Sequence, residues 1–129
     1  MDLAQPSRAM SVFNFEKLEV WQKSIDFADL IYSLTRSFPQ EERFGLTNQM
    51  RRAAVSISSN IAEGSARVSR NDFARFIEIA TGSVFEVVSQ ATIGFRQRFL
   101  AEAQYRQIYE AAEQQGKMLS GLRRSLVEG

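Results

Sequence analysis

Cysteine and histidine are both absent from the 129 residues. Without cysteine there are no disulfides, no thiolate metal ligands and no thiol nucleophile, a composition that suits a reducing compartment. Without histidine the commonest general base and the commonest metal ligand are gone. Ser-His triads and the Glu-x-x-His sites of di-iron bundles are therefore excluded, and any chemistry would run on carboxylates, lysine, arginine or tyrosine. Proline occurs only at positions 6 and 39, so long stretches can stay helical without interruption. No apolar run approaches the ~20 residues that span a bilayer. The segment Met1 to Asn14 also lacks the unbroken apolar core of a signal peptide, so it reads as a polar, flexible arm on a cytoplasmic protein with no membrane partner. Strand-like alternation, internal repeats and low-complexity tracts are missing too. A net charge of +1 gives no strong overall field, so nucleic-acid affinity would require basic side chains gathered on one surface.

What is present is helical periodicity over nearly the whole chain. Val20, Ser24, Phe27, Ile31, Leu34 and Phe38 advance by three and four, and beside them runs a second stripe of Trp21, Ile25, Ala28, Tyr32 and Thr35. Pro39 ends this segment. The second helix is expected to begin among Glu41, Glu42 and Arg43, with Leu46, Met50, Ala53, Ile57, Asn60 and Ile61 inward. Small residues around that stripe (Ala54, Ser56, Ser58, Ser59, Ala62) predict the closest approach of a neighbouring helix. Ser69 followed by Asp72 resembles a capping box and opens the third helix. The core stripe of this helix is Phe73, Ile77, Ala80, Val84, Val87 and Ala91, with Phe85, Val88, Thr92, Phe95 and Phe99 forming another. The fourth helix carries Tyr105, Ile108, Ala112, Leu119, Leu122 and Leu126, interrupted by Gln115 and weakened at Gly116. The reading is all-α: a flexible arm over 1–14, then an antiparallel up-down-up-down four-helix bundle over 15–129, with helices at about 16–37, 42–64, 69–99 and 102–126. Second apolar stripes on the first and third helices are surplus to a monomer. They predict self-association through Trp21, Ile25, Tyr32, Phe85, Val88, Phe95 and Phe99.

Several ordered blocks between Leu18 and Glu86 carry a family likeness: Leu18-x-Val20-Trp21, Ile31-Tyr32, Phe38-Pro39, Phe44-Gly45-Leu46, Gln49-x-Arg51-Arg52-Ala53-Ala54, Ser59-Asn60-Ile61-Ala62-Glu63-Gly64 and Gly82-Ser83-x-x-Glu86. In these the chain resembles the four-helix-bundle family encoded in intervening sequences of bacterial large-subunit ribosomal RNA genes, to which the accessory protein of diversity-generating retroelements is related. The resemblance implies a protomer assembled into a ring, commonly a homopentamer. For the retroelement branch it implies a partnership with reverse transcriptase and RNA. It implies no assigned activity for most members.

The doubled apolar stripes and the family resemblance together point to a non-enzymatic homo-oligomeric scaffold or adaptor, with no cofactor, no metal and no small-molecule substrate. The alternative is an accessory protein that binds RNA or DNA through Arg51, Arg52, Arg67, Arg70 and Arg75, which could form a stripe tracking a phosphate backbone. Against it stands the reading of these arginines as solvated partners of Glu41, Glu42, Glu63, Asp72 or Glu78. Asn60, Glu63 and Glu86 are read as structural polar residues, Asn60 fixing helix register and the acids pairing with arginine. A hydrolase built on Glu63 and Glu86 would need a cleft holding both. Gly82-Ser83 is read as a point of close helix approach, and Trp21 as a packing anchor.

Overall fold

The structure is a computed structural model that describes residues 12–128. Most of the arm expected over 1–14 therefore lies outside the described residues. A 3-10 turn, Asn14–Lys17, leads into α1 (Glu19–Thr35). A second 3-10 turn, Gln40–Glu42, precedes α2 (Leu46–Ser65), and α3 (Arg70–Arg96) and α4 (Glu102–Glu128) follow. The helices close on themselves as a four-helix bundle: α2 packs most extensively on α3, α3 on α4, and α1 completes the ring against α2 and α4.

The core is built from the inward stripes. Phe27, Ile31, Met50, Ile57, Ile61, Ile77, Val84, Val87, Ile108 and Leu119 are all buried. Each large side chain of this kind stabilises the fold by roughly 1.5–3 kcal/mol relative to leaving it exposed. Hydroxyls inside the bundle donate to carbonyls of their own helix: Thr35 Oγ1 to Ile31 O at 2.7 Å and Thr92 Oγ1 to Val88 O at 2.9 Å. Gln115, which interrupts the apolar stripe of α4 in sequence, is 1% exposed. Its Nε2 donates to Val20 O at 3.1 Å, so the interruption is a buried amide that ties α4 to the start of α1.

Helix ends differ from the expected limits for local reasons. The acidic residues at 41 and 42 lie in the 3-10 turn and not in α2. Glu42 still serves the positive end of that helix, because its Oε1 accepts from the Leu46 N–H at 3.1 Å from outside. Ser69 caps α3 by accepting from Asp72 N at 3.2 Å. The capping box is only half formed, since the Asp72 carboxylate bonds Arg75 instead. α3 ends three residues before the expected Phe99, in a Schellman turn. Phe99 N donates to Gly94 O at 2.8 Å and Arg98 N to Phe95 O at 3.0 Å, with Arg98 at φ 65°. Arg98 thus occupies the left-handed position that glycine normally fills. That turn drops Leu100 and Phe99 onto Gly94 and Phe38, sealing one end of the core.

Close helix approach falls at Gly64, not at Gly82. A Cβ on Gly64 would meet Phe73 Cδ1 and Phe76 Cβ, each at 2.8 Å, whereas one on Gly82 would meet nothing within 4 Å. Small residues of α2 and the phenylalanines that open α3 are matched there, one turn from the 66–69 connection.

Two substitutions test these ends in urea or thermal denaturation. Arg98→Gly relieves the left-handed strain and is expected to stabilise the fold by about 1 kcal/mol. Gly64→Ala gains helix propensity but forces Phe76 to move. A net loss of roughly 1–2 kcal/mol is expected, and a gain would contradict the close contact.

Candidate interaction surfaces

The five arginines singled out from sequence do not form one stripe. Successive positions on a helix are about 100° apart, so Arg51 and Arg52 leave α2 in different directions. Arg51 turns to α1: its Nε donates to Thr35 Oγ1 at 3.0 Å, its Nη2 to Tyr32 O at 3.4 Å, and its guanidinium lies 4.7 Å from the Tyr32 ring centroid. It is a tie on the C-terminal end of α1. Arg70 does the same for α4, donating to Ser125 O and Leu126 O. Arg75 pairs with Asp72 at 3.3 Å. Arg67 lies over the Phe76 ring at 4.6 Å, and Arg52 lines a groove between α2 and α3. Of the acids expected to neutralise the five, only Asp72 does so among the described residues. Glu78 pairs with Arg123 instead, at 2.6 Å.

The polar residues of α2 and α3 form a ladder. Asn60 Nδ2 donates to Ser56 O at 2.8 Å and Ser56 Oγ at 3.0 Å, and Ser83 Oγ donates to Ser56 Oγ at 3.0 Å. Asn60 is half-buried, and it reaches α3 only through Ser56, so the bridge that sets register is Ser56 to Ser83. Glu63 and Glu86 are exposed and make no ion pair among the described residues. They sit on opposite sides of that bridge in antiparallel helices, about 15 Å apart along the axis. That separation is too wide for a carboxylate pair acting on one bond. Gln90, two turns beyond Ser83, is buried with its Oε1 unpartnered.

The second apolar stripe expected on α1 is partly covered within the protomer. Trp21 is half-buried and meets the Phe15 ring edge-on at 4.9 Å, Ile25 is half-buried, and Tyr32 lies under Arg51. The 3-10 turn before α1 folds back on Trp21 through Phe15, whereas Tyr32 stays 38% exposed. On the third helix, Phe99 packs on Phe38 at 5.5 Å and Phe95 stacks on Tyr105 at 5.1 Å. Phe85, by contrast, is 69% exposed, and Ile79 and Ile93 on the same outer side of α3 are about half exposed. Between α3 and α4 lies an open, mainly apolar groove bordered by Val84, Phe85, Val88, Tyr109, Ala112 and Gly116. The α2–α3 groove is polar, lined by Asn48, Gln49, Arg52, Ser56 and Glu86 under the rim residue Phe44. Phe44 is 85% exposed. Its exposure was readable in principle, since it lies off every helical stripe, between Glu42 and Gly45.

The sequence profile of the 23S rRNA-intervening sequence proteins matches residues 16–121. The chain belongs to this family. The match includes most of the fourth helix, beyond the blocks between Leu18 and Glu86. Among solved structures, this intervening sequence protein is similar to a protein of unknown function from the S23 ribosomal protein family of Bacteroides thetaiotaomicron. The two are 26% identical with a TM-score of 0.73, over 81% of this chain and 98% of that one. No curated protein matches the chain. Among the described residues no helix is long and apolar enough to cross a membrane, and no cluster of acidic residues could hold a metal ion.

The division between tied and untied arginines is measurable. Arg51→Ala should lower unfolding stability by about 1–2 kcal/mol through loss of the Thr35 and Tyr32 bonds, whereas Arg52→Ala should stay within about 0.5 kcal/mol of wild type. Equal effects in urea titrations would contradict this assignment.

Proposed function

We propose that this intervening sequence protein is a non-enzymatic homo-oligomeric scaffold, probed best through the outer face of α3. The observation that carries the reading is a run of unpartnered apolar residues along that helix, Ile79, Phe85 and Ile93, flanked by the apolar groove against α4. A patch of this kind on a small bundle marks an interaction surface. Gly82 lies among these residues, with Glu78 and Glu86 one turn to either side. A glycine inside an exposed helix costs roughly 0.5–1 kcal/mol relative to alanine and here makes room for nothing in its own protomer. A second backbone approaching α3 would account for it. A ring, commonly a pentamer, is the assembly implied by the family resemblance.

Sedimentation tests the reading directly. Wild type is expected to sediment as an oligomer, and Gly82→Leu to fall to the protomer mass with its helical circular dichroism intact. Gly121→Leu, at an equally open glycine on α4, should leave the assembly unchanged. A wild-type protein that is monomeric at micromolar concentration would end the proposal.

A second reading, binding of RNA or DNA, is favoured by the arginines that lack a carboxylate partner. Arg43, Arg52 and Arg67 make no ion pair among the described residues, leaving their charge available to phosphates. Alanine at Arg52 and Arg67 should weaken binding and flatten its salt dependence. Unchanged affinity would remove the reading.

A further inference from the structure

Phe44 is the most exposed aromatic side chain of the described residues, and it is held in place rather than frayed. Arg43 N donates to Gln40 O at 3.0 Å, Gly45 N to Glu42 O at 3.0 Å, and Glu42 Oε1 accepts from Leu46 N at 3.1 Å. These bonds fix the backbone on both sides of the ring. The Arg43 guanidinium lies 5.3 Å from its centroid, leaving the ring otherwise open to solvent.

The surface beside the ring decides which partner fits. It is a groove of about 450 Å³ whose lining is mostly polar: Asn48, Gln49, Arg52, Ser56 and Glu86. An apolar helix or strand laid here would cover Phe44 only by stripping water from two amides, a guanidinium and a carboxylate and leaving them unmatched. The complementary ligand has one flat apolar face, a hydrogen-bonding edge with donors and acceptors, and an anionic group nearby. An unpaired nucleotide has these parts in this arrangement.

We propose that the α2–α3 groove binds an unpaired nucleobase of a single-stranded nucleic acid, with Phe44 stacking on the base. Asn48 and Gln49 meet its edge with amides that both donate and accept. Arg43 and Arg52 stand where the adjoining phosphates pass. Glu86 accepts only, so it favours bases bearing an exocyclic amino group over uracil or thymine. This inference rests on the nucleic-acid reading above and narrows it from charge to a site. A base inside a duplex has both faces stacked and cannot reach Phe44, so double strands are poor ligands.

Fluorescence anisotropy with short labelled oligonucleotides tests the site in the full-length protein. Wild type is expected to prefer single strands over a duplex of the same sequence, and oligo-A or oligo-C over oligo-U. Phe44→Ala is expected to weaken single-strand binding roughly 5- to 100-fold, and Phe44→Trp to restore it. Glu86→Gln should erase the preference for amino-bearing bases. Because Phe44 supports no core contact, the alanine variant should keep the wild-type melting temperature and sedimentation. Matched RNA and DNA strands distinguish the two sources of such a base through the 2′-hydroxyl. If Phe44→Ala binds as wild type while the Arg52 and Arg67 variants do not, this site is wrong and the charge-based reading survives. If no strand binds, both fall. If Phe44→Ala dissociates the oligomer instead, the ring belongs to a contact between copies and the site is overturned.

Discussion

The distance between α2 and α3 governs most of what this bundle does. Ala53, Ala54 and Gly64 on one helix and Ala80 and Ser83 on the other allow an approach that larger side chains would forbid, and at Gly64 the phenylalanines that open α3 lie directly against backbone. Within that contact, Ser56 and Ser83 are linked by a hydrogen bond that sliding by one turn would break. Register is therefore reinforced by a polar contact at the edge of the apolar seam, and the positions of Arg52, Glu86 and Phe44 relative to one another follow from it. Helices held this rigidly can present surface groups in fixed geometry without a catalytic cleft.

The two grooves beside α3 are chemically unlike. Toward α4 the exposed lining is mainly apolar, with Glu113 and Lys117 at its edge; toward α2 it is mainly amide, hydroxyl and charge. Both belong to the same helix, so a single rigid element offers one side to a hydrophobic partner and another to a polar one. The two sides meet at Gly82 and Glu86, one turn apart on the same face, so assembly through Gly82 would border the polar groove.

Periodicity made the fold legible. Stripes such as Phe27 and Ile31 or Ile77, Val84 and Val87 became core with their directions as read, because a 3.6-residue period leaves few alternatives. The surfaces were less legible for reasons that lie outside any single helix. Trp21 reads as a packing anchor, but its partner Phe15 lies in the Asn14–Lys17 turn, which has no periodic signature. Arg51 and Arg52 appeared equivalent because neighbouring letters conceal a turn of about 100° between them. Gly82 read as a point of close helix approach and Phe44 had no reading of its own, since whether a glycine or a loop aromatic meets a neighbour depends on tertiary packing. Gln115 appeared to be a fault in α4 because a buried amide needs a specific carbonyl, and Val20 lies far away in sequence.

The unequal packing of the four helices sets an order of opening. α1 has the thinnest contacts of the bundle and is joined to the rest by residues 36–45, while α2, α3 and α4 follow one another through short connections and pack as sequence neighbours. Contacts that are local in the chain form and re-form readily, whereas docking α1 closes a longer loop for less buried surface. The first helix is consequently the least stable cooperative unit, retained by Gln115 at one end and Arg51 at the other. Detaching α1 would draw Phe27 and Ile31 out of the core as well as release those two side chains, and it would lay bare the inner faces of α2 and α4 while leaving the α2–α3 seam intact.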